Sequence, residues 1–403
     1  MEANIQTATL NFNEGSTICS EAIKMDYANG IYLWDSNGKR YSDMFSQTWS
    51  MPLGHNNPKV IEAVRRQLQK ITHLRTAYST GDNVELTNKI IKLAPEGFSK
   101  IHFVLHGSLA VEGAMKLAIN NYEDRYKILY LEDGFHGRSF ATMGVSWKHD
   151  SKFKNYFNHG VEVKKNLEDI EEKMKTEKPA AIILELVQGN SGCNILEKEL
   201  VQGIRKLCDQ ENVTMIVDEI QTGFGCVKTN FLCEEYQISP DIITFGKAIG
   251  GGFPLAGTLY KGKYSLKPGD HSFTFAQNPI SLAAGLAYLE DLQPMLKNVE
   301  ILNPIISTSL KGLEEKYSNI KNARCIGMKG AVDVLDDNGN PDSKTADEIV
   351  SKLLNRGIVI SNSRYLNMGN TLMMQPPLIT TPEQLRETFE QFDSVLKEVY
   401  PNG

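Results

Sequence analysis

The 403-residue sequence lacks the long apolar run that a membrane-spanning helix needs. No stretch reaches the roughly 18–20 consecutive apolar residues of such a helix. The start, MEANIQTATLNFNEG, has neither the basic nor the apolar segment of a secretory signal. The net charge is −6 and the basic residues form no run, which argues against nucleic acid or an anionic membrane surface as a partner. We therefore expect a cytoplasmic protein with no nucleic-acid or membrane partner.

The cysteines show none of the spacings of a metal site or a redox motif. There is no CxxC pair, and no histidine stands at zinc-ligand spacing from a cysteine. We expect reduced thiols, as is usual in the cytosol, and no metal site. The six cysteines are Cys19, Cys193, Cys208, Cys226, Cys233 and Cys325.

Short apolar strands alternate with helical segments from about residue 100 onward. Apolar runs without polar alternation, separated by helices, predict an α/β fold with a mostly parallel sheet covered on both faces. The predicted strands are 101–105, 127–131, 180–187, 213–218 and 241–245. They are preceded by a hairpin at 30–45 and a helix at 58–71, and followed by helices at 297–317, 344–356 and 382–399 and strands at 329–335 and 357–361. We expect a large α/β domain at 59–294 and a smaller α+β domain formed by 1–58 and 295–403.

The first two predicted strands are followed by groups that suit a phosphate and an aromatic ring. Ligands of open α/β sheets lie outside the carboxyl ends of the strands. After the first strand, Gly107 and Ser108 begin a helix whose free N–H groups and dipole favour phosphate, although many strand–helix turns look like this. After the second, Phe135 and His136 place an aromatic face and an imidazole at the strand end, where a phenylalanine could also belong to the core. We keep these residues as candidate cofactor contacts.

Of the last two predicted strands, one ends in an acidic residue, Asp218, and the other is followed closely by a lysine, Lys247. An unpaired buried carboxylate is costly, so Asp218 either has a cationic partner such as a protonated ring nitrogen or caps the following turn. Gln221 could reach the same ligand. Burial of Lys247, directly after DIITFG, would lower its pKa and make it a nucleophile, whereas the alternative is a solvated lysine in a loop. The glycines 250–252 let the backbone pass close to a ligand.

A phosphate site, an aromatic face, a carboxylate for a ring nitrogen and a nucleophilic lysine are together what pyridoxal 5′-phosphate (PLP) requires. Each alone has a structural explanation, and their order along one sheet favours the cofactor. The sequence at this point resembles the class III aminotransferases, which are PLP enzymes of fold type I. The resemblance covers nearly the whole chain and rests on GIYLWDSNGKRYSDM, LGHNNPKV, GSLAVEGAMKLA, FHGR, ILELVQG, VDEIQTGFG, PDIITFGKAIGGGFPLAG, TFAQNP and PPL.

This resemblance implies roles for the candidate residues. Lys247 is implied to form the Schiff base with PLP, Asp218 to bind the pyridinium nitrogen and Phe135 to stack on the ring. Further implied contacts are those of Gly107 and Ser108 with the phosphate, of Gln221 with the phenolic oxygen, and of Thr274 with the phosphate in the other subunit. The resemblance thus implies a homodimer or higher homo-oligomer with shared active sites. It also implies transfer of an amino group from an amino-acid or amine donor to an aldehyde or ketone.

The sequence departs from the family pattern where many members bind a substrate carboxylate. Those members have an arginine three residues before PPL and a glutamate just after QG, and here these positions are Met373 and Asn190. Either another arginine substitutes, with Arg364 and Arg138 as candidates, or the substrate needs no clamp there. We expect Trp49, Glu185 and Met373 to contact the substrate. Trp49 among hydroxyl and amide side chains favours a polar acceptor without a carboxylate, such as a sugar aldehyde.

Three alternatives remain open on the sequence. The stretch NPISLAAGLAYLE resembles aminomutases of the glutamate-1-semialdehyde type. An amino-acid racemase or epimerase of the same family would use the same lysine without an external carbonyl acceptor. A non-catalytic protein that binds PLP is the third alternative, although Lys247 and Asp218 are both intact.

Overall fold

The structure is a computed structural model that describes residues 23–147, 157–363 and 369–401. The strands are β1 (Met25–Asn29), β2 (Tyr32–Asp35), β3 (Arg40–Asp43), β4 (Phe98–Val104), β5 (Ile128–Leu131), β6 (Gly160–Val163), β7 (Ala181–Leu184), β8 (Val187–Gln188), β9 (Asn194–Ile195), β10 (Thr214–Asp218), β11 (Ile242–Phe245), β12 (Ala256–Lys261), β13 (Ile320–Ile326), β14 (Lys329–Val334), β15 (Ile358–Val359), β16 (Ser361–Asn362) and β17 (Thr371–Met374). The longer helices are α1 (Pro58–Leu68), α2 (Gly81–Leu93), α3 (Gly107–Ile119), α4 (Leu167–Glu177), α5 (Lys198–Gln210), α6 (Pro279–Leu292), α7 (Asn298–Lys316), α8 (Ser343–Asn355) and α9 (Pro382–Val399).

A seven-stranded sheet in the order β4-β12-β11-β10-β7-β5-β6 forms the centre of the chain. The strands from β11 to β6 pair in parallel, and β12 runs antiparallel to both of its neighbours. The predicted mostly parallel α/β sheet is confirmed, and the antiparallel strand was not anticipated. Its direction has a physical reason, because residues 246–255 are too few for the crossover that a parallel return requires.

The central strands are buried on both faces, as their apolar sequences indicate. Every residue of β5, β7, β10 and β11 is buried. Along β10, Met215 and Val217 belong to one hydrophobic core, and Ile216, between them, belongs to another. Alternate side chains of a strand point to opposite faces, so the two cores lie on opposite sides of the sheet. This arrangement leaves the carboxyl ends of the strands as the place for polar groups.

Two smaller four-stranded sheets involve the ends of the chain. One has the order β1-β2-β3-β15 and so joins strands from both ends of the chain, and the other has the order β13-β14-β17-β16. The helices predicted at 297–317, 344–356 and 382–399 correspond to α7, α8 and α9. The domain boundaries at 58/59 and 294/295 stay a prediction. Within the described ranges, no helix is both long enough and apolar enough to span a membrane.

The prediction of one continuous strand at 180–187 is wrong. The segment is divided into β7 and β8, which belong to different sheets. The carboxylate of Glu185 lies at the division and accepts hydrogen bonds from the backbone N–H groups of Phe135 and Gly189, at 2.8 and 3.3 Å. A buried carboxylate that binds backbone donors needs irregular chain around it, since N–H groups in a strand bond to their neighbours.

Candidate active site

The carboxyl ends of β10 and β11 bring an aspartate and a lysine to the same edge of the sheet. Asp218 ends β10 and is the partner of Thr244 in the parallel register with β11. Lys247 follows β11 by two residues. The sequence motifs around both residues therefore meet in space, because neighbouring parallel strands end at one edge.

Asp218 is 5% exposed, and hydrogen bonds hold both of its carboxylate oxygens. Its Oδ1 accepts from the Thr244 hydroxyl at 2.9 Å and from the Ile220 N–H at 3.1 Å. Its Oδ2 lies 2.9 Å from Nδ1 of His136. The Nε2 atom of the buried His136 has no hydrogen-bond partner among the residues the structure describes. These contacts fix the orientation of the carboxylate, and they stabilise its charged form, which burial alone would disfavour.

Lys247 is half-buried and has an unusual backbone conformation for a lysine. Its φ is +45°, in the left-handed region that costs energy for residues other than glycine. Burial, followed by the charges of Lys329 and Arg138, lowers the pKa of Lys247 to about 8, against the opposing charges of Glu185 and Asp218. A substantial fraction of the amine is thus neutral just above neutral pH, which is the state a nucleophile needs.

The first turn of α3 and the loop after β5 form a narrow cradle. The Ser108 hydroxyl accepts from the Arg138 N–H at 3.3 Å, and the first N–H groups of α3 have no partner within the helix. A Cβ on Gly107 would lie 2.8 Å from the Ile220 side chain, and one on Gly137 would lie 2.3 Å from the Ser108 Oγ. The cradle therefore depends on glycine at both positions and has room for an anion against backbone donors.

The loop after β5 also carries an aromatic ring and an arginine. The Phe135 N–H donates to the Glu185 carboxylate, and the Arg138 guanidinium lies 5.0 Å from the centre of the Phe135 ring. Burial raises the pKa of Glu185. Glu185 thus positions the backbone at Phe135, whereas the sequence placed it in contact with the substrate. That substrate contact stays a prediction.

A second buried lysine, Lys329, was missed by sequence reasoning. Its Nζ donates to Oε1 of Gln221 at 2.6 Å, and the residue is 1% exposed. The pair fits against Gly189, where a Cβ would lie 1.6 Å from the Gln221 Oε1. A signal for it existed, because Lys329 is a lone cation beside the apolar run GAVDVL, the pattern that drew attention to Lys247.

The remaining predicted residues lie in varied surroundings. Trp49 is fully buried, and its Nε1 has no partner among the described residues. Met373 is buried in β17 opposite Ala331. Thr274 is exposed, so its expected contact needs a second copy of the chain. Arg364 lies outside the described residues, and the contacts expected of the other three stay predictions.

The sequence profile of the family described as "Aminotransferase class-III" matches residues 16–396. The chain belongs to this family. It is a class III aminotransferase, and the resemblance that the sequence motifs carried is confirmed. Aminotransferases transfer nitrogenous groups and the cofactor of this family is PLP, so the predicted enzyme class and cofactor are confirmed as well.

Named relatives agree with this assignment over most of their length. The acetylornithine aminotransferase of Caldanaerobacter subterraneus is 33% identical over 382 residues, which cover 92% of this chain and 93% of the relative. The 5-aminovalerate aminotransferase of Pseudomonas putida is 33% identical and covers 88% of this chain and 89% of the relative. An ornithine aminotransferase structure from Toxoplasma gondii, with partial occupancy of PLP, has a TM-score of 0.87 at 23% identity and covers 98% of this chain and 94% of its own. This last likeness shows that the fold is shared.

The residues of this aminotransferase fit PLP. The buried Asp218 carboxylate, held by neutral donors and His136, suits a protonated ring nitrogen. The glycine-lined cradle suits a phosphate, and the amine of Lys247 lies at the same edge of the sheet. Nothing in the described geometry obstructs this fit. The described residues contain no cluster of three or more histidine, cysteine or acidic side chains that could hold a metal ion.

Proposed function

We propose that this aminotransferase acts through the amine of Lys247, which attaches the cofactor covalently and then moves a proton on the substrate. The position of Lys247 carries the proposal: it lies at the end of β11, beside the Asp218–Thr244 pair, with its pKa lowered to about 8. A neutral amine attacks a carbonyl carbon, and an amine with a pKa near the working pH both accepts and returns a proton. When bound, PLP supplies an electron sink for the carbon that loses the proton.

The residues around Lys247 have separate tasks in this proposal. Asp218 keeps the ring nitrogen protonated, and His136 and Thr244 hold the carboxylate in the direction that this requires. Gly107 and Ser108 bind the phosphate at the start of α3, and Phe135 covers one face of the ring. Gln221 donates its amide N–H to the phenolic oxygen, since its Oε1 already accepts from Lys329. Thr274 completes the phosphate site of a second copy in a homodimer.

We propose that the donor carries a primary amine at the end of an aliphatic chain. The relatives named above act on acetylornithine and 5-aminovalerate, which are linear molecules with an amino group and a carboxylate at opposite ends. Arg138 lies beside Phe135 in the loop after β5 and offers a guanidinium for such a carboxylate. Arg138 is thus one of the cations of the site that the proposal offers to the substrate carboxylate.

The acceptor expected from the sequence, a polar carbonyl compound without a carboxylate, has no support among these relatives. That expectation depended on Met373 and Asn190 in place of an arginine and a glutamate, and it stays a prediction. The aminomutase, racemase and scaffold alternatives also stay untested. Dependence of turnover on an added keto acid separates them from a transaminase, because an aminomutase or racemase returns the amino group to its own substrate.

The test of the proposal is replacement of Lys247 by alanine. Borohydride reduction of the PLP-loaded wild type, followed by peptide mass spectrometry, is expected to find the pyridoxyl group on the peptide that contains Lys247. Lys247→Ala should lose both the modified peptide and the turnover, whereas Lys267→Ala, a change at an exposed lysine, should keep both. A Lys247→Ala protein that still carries a borohydride-reducible attachment at full occupancy contradicts the assignment.

A further inference from the structure

Lys329 is a buried cation that has no counter-ion among the residues the structure describes. An ammonium group has three N–H donors, and the described residues offer it one acceptor, the Oε1 of Gln221 at 2.6 Å. No described carboxylate forms an ion pair with it. Glu185, whose pKa the charge of Lys329 lowers against the larger effect of burial, is instead bound by backbone N–H groups. A charge that is 1% exposed and unpaired is costly, so an anion at this position would be bound strongly.

The charge of Lys329 lies beside the reactive amine. Among the effects on the pKa of Lys247, Lys329 comes second after burial, and Arg138 is the other cation that lowers it. Lys329 of β14 and Arg138 of the loop after β5 are thus two cations, from different elements, whose charges act on Lys247. A substrate held at Lys247 is exposed to both charges, and a site with this charge distribution favours an anionic substrate.

The strand register places Lys329 on the same face as Met373. Ala331 of β14 pairs directly with Met373 of β17, and residues paired in this way point to the same face of a sheet. Lys329 precedes Ala331 by two residues and so shares that face. Lys329 and Met373 are therefore diagonal neighbours on two adjacent strands. The cation that is absent at position 373 is present one strand away.

We propose that Lys329 binds a carboxylate of the substrate, and that this lysine takes the place of a guanidinium at position 373. The inference rests on the proposed function and adds the group that recognises its substrate class, an amine or carbonyl compound that carries a carboxylate. Gln221 holds the ammonium in place through its Oε1, which leaves two N–H donors for the ligand. A desolvated ammonium binds a carboxylate much better than a hydrated one does.

The test is the binding of glutarate, which has two carboxylates but neither an amine nor a carbonyl that could react. Isothermal titration of PLP-loaded protein is expected to give a dissociation constant that rises about 10- to 100-fold in Lys329→Met. Lys329→Gln, which keeps a donor for Gln221 but removes the charge, should show the same rise. The matched control is Lys321→Met, the same change at an exposed lysine of the same small sheet, and it should leave the dissociation constant unchanged.

A comparison of two amines separates carboxylate binding from an indirect effect on the cofactor. In Lys329→Met, the Michaelis constant for γ-aminobutanoate should rise by a factor similar to that of glutarate binding, while the Michaelis constant for butylamine stays within about two-fold. Equal losses for both amines, an unchanged glutarate affinity in both variants, or no glutarate binding by the wild type would overturn the inference. Failure of the proposed function would be seen in a different experiment, as a borohydride-reducible attachment of PLP that persists in Lys247→Ala.

Discussion

At the scale of the residue, burial sets the chemistry available to each lysine of the proposed active site. Lys247 is an ordinary amine whose pKa is lowered to about 8, first by burial and then by the charge of Lys329. Asp218 and Glu219 show the same dependence on surroundings. Asp218 faces His136, whereas the fully buried Glu219 accepts from the N–H groups of Leu232 and Cys233, both at 2.8 Å. Of these adjacent carboxylates, one is proposed to bind the cofactor and the other stabilises the fold through backbone N–H groups.

The lowered pKa predicts the pH dependence of Lys247 in the cofactor-free protein. Acetylation of Lys247 by acetic anhydride, followed by mass spectrometry, should have its midpoint near pH 8. Lys329→Met should move the midpoint upward, because removal of a like charge favours the protonated amine. The exposed Lys267 serves as the internal control, and its midpoint should be the same in both proteins. A midpoint for Lys247 that Lys329→Met leaves unchanged would show that the two charges do not interact.

The same shift links Lys247 to stability. The folded protein releases this proton near pH 8, whereas the unfolded chain releases it near 10.5. Below pH 8 both states hold the proton, and the buried charge lowers the free energy of unfolding by its full amount. Between pH 8 and 10.5 the unfolded chain binds more protons, so this penalty decreases as the pH rises.

At the scale of the element, the proposed phosphate site depends on close contact between the loop after β5 and the start of α3. Gly137, after β5, has φ of +130°, and a Cβ there would lie 2.3 Å from the Ser108 Oγ and 2.7 Å from the Thr142 Oγ1. The loop and the first turn of α3 therefore touch through glycine backbone. Their contact sets the width of the proposed phosphate site.

Gly137→Ala should therefore weaken PLP binding. The added methyl group pushes the loop away from Ser108, and we expect the dissociation constant of PLP, measured by equilibrium dialysis, to rise on the order of ten-fold or more. Gly339→Ala is the matched control, since Gly339 also has a positive φ, +82°, but has no atom within 4 Å of its added Cβ. Unchanged PLP affinity in Gly137→Ala would argue against this cradle as the phosphate site.

At the scale of the whole molecule, the loop that carries Thr274 and the elements at and before α2 both have exposed apolar side chains. Phe275 is 54% exposed, its ring lies 5.0 Å from that of His73, and Gln277 accepts from Asn83 at 3.0 Å. The loop is thus packed against the segment that leads into α2. The exposed apolar residues of α1, α2 and this segment are Ile61, Leu68, Ile71, Tyr78 and Val84. Exposed apolar surface of this kind is typical of a protein interface.

This surface predicts that Phe275→Glu separates the subunits. A buried, unpaired carboxylate at an interface is costly, so the variant should sediment as a monomer where the wild type sediments as a dimer. It should also lose PLP on dialysis, because the proposed contact of Thr274 with the phosphate site of the other subunit is lost. Ile301→Glu, a change at an equally exposed residue of α7, should stay dimeric. A Phe275→Glu protein that sediments and retains PLP like the wild type would exclude this surface as the interface.

The sequence by itself determined five of the seven strands of the large sheet, β4, β5, β7, β10 and β11, and the residues at their ends. Apolar runs that end in Asp218 or precede Lys247 are local patterns, and local patterns can be recognised in the sequence without the fold. The antiparallel β12 and the break between β7 and β8 were not predicted, since they depend on connection length and on hydrogen bonds to a distant loop. The short edge strand β6 was not predicted either, because only its last residue is buried and it has no continuous apolar run. The aminotransferase family was likewise readable from contiguous motifs.

Only the tertiary structure decided which of these residues meet. His136 and Asp218 are 82 residues apart in sequence, and Lys329 and Gln221 are 108 apart. Hydrogen bonds over such separations form only after the sheet has brought the strand ends together, so no local pattern encodes them. The proximity of the Lys329 charge to Lys247 therefore could be recognised only from the tertiary structure. A lysine in an apolar stretch acquires its chemistry from the groups that burial places around it.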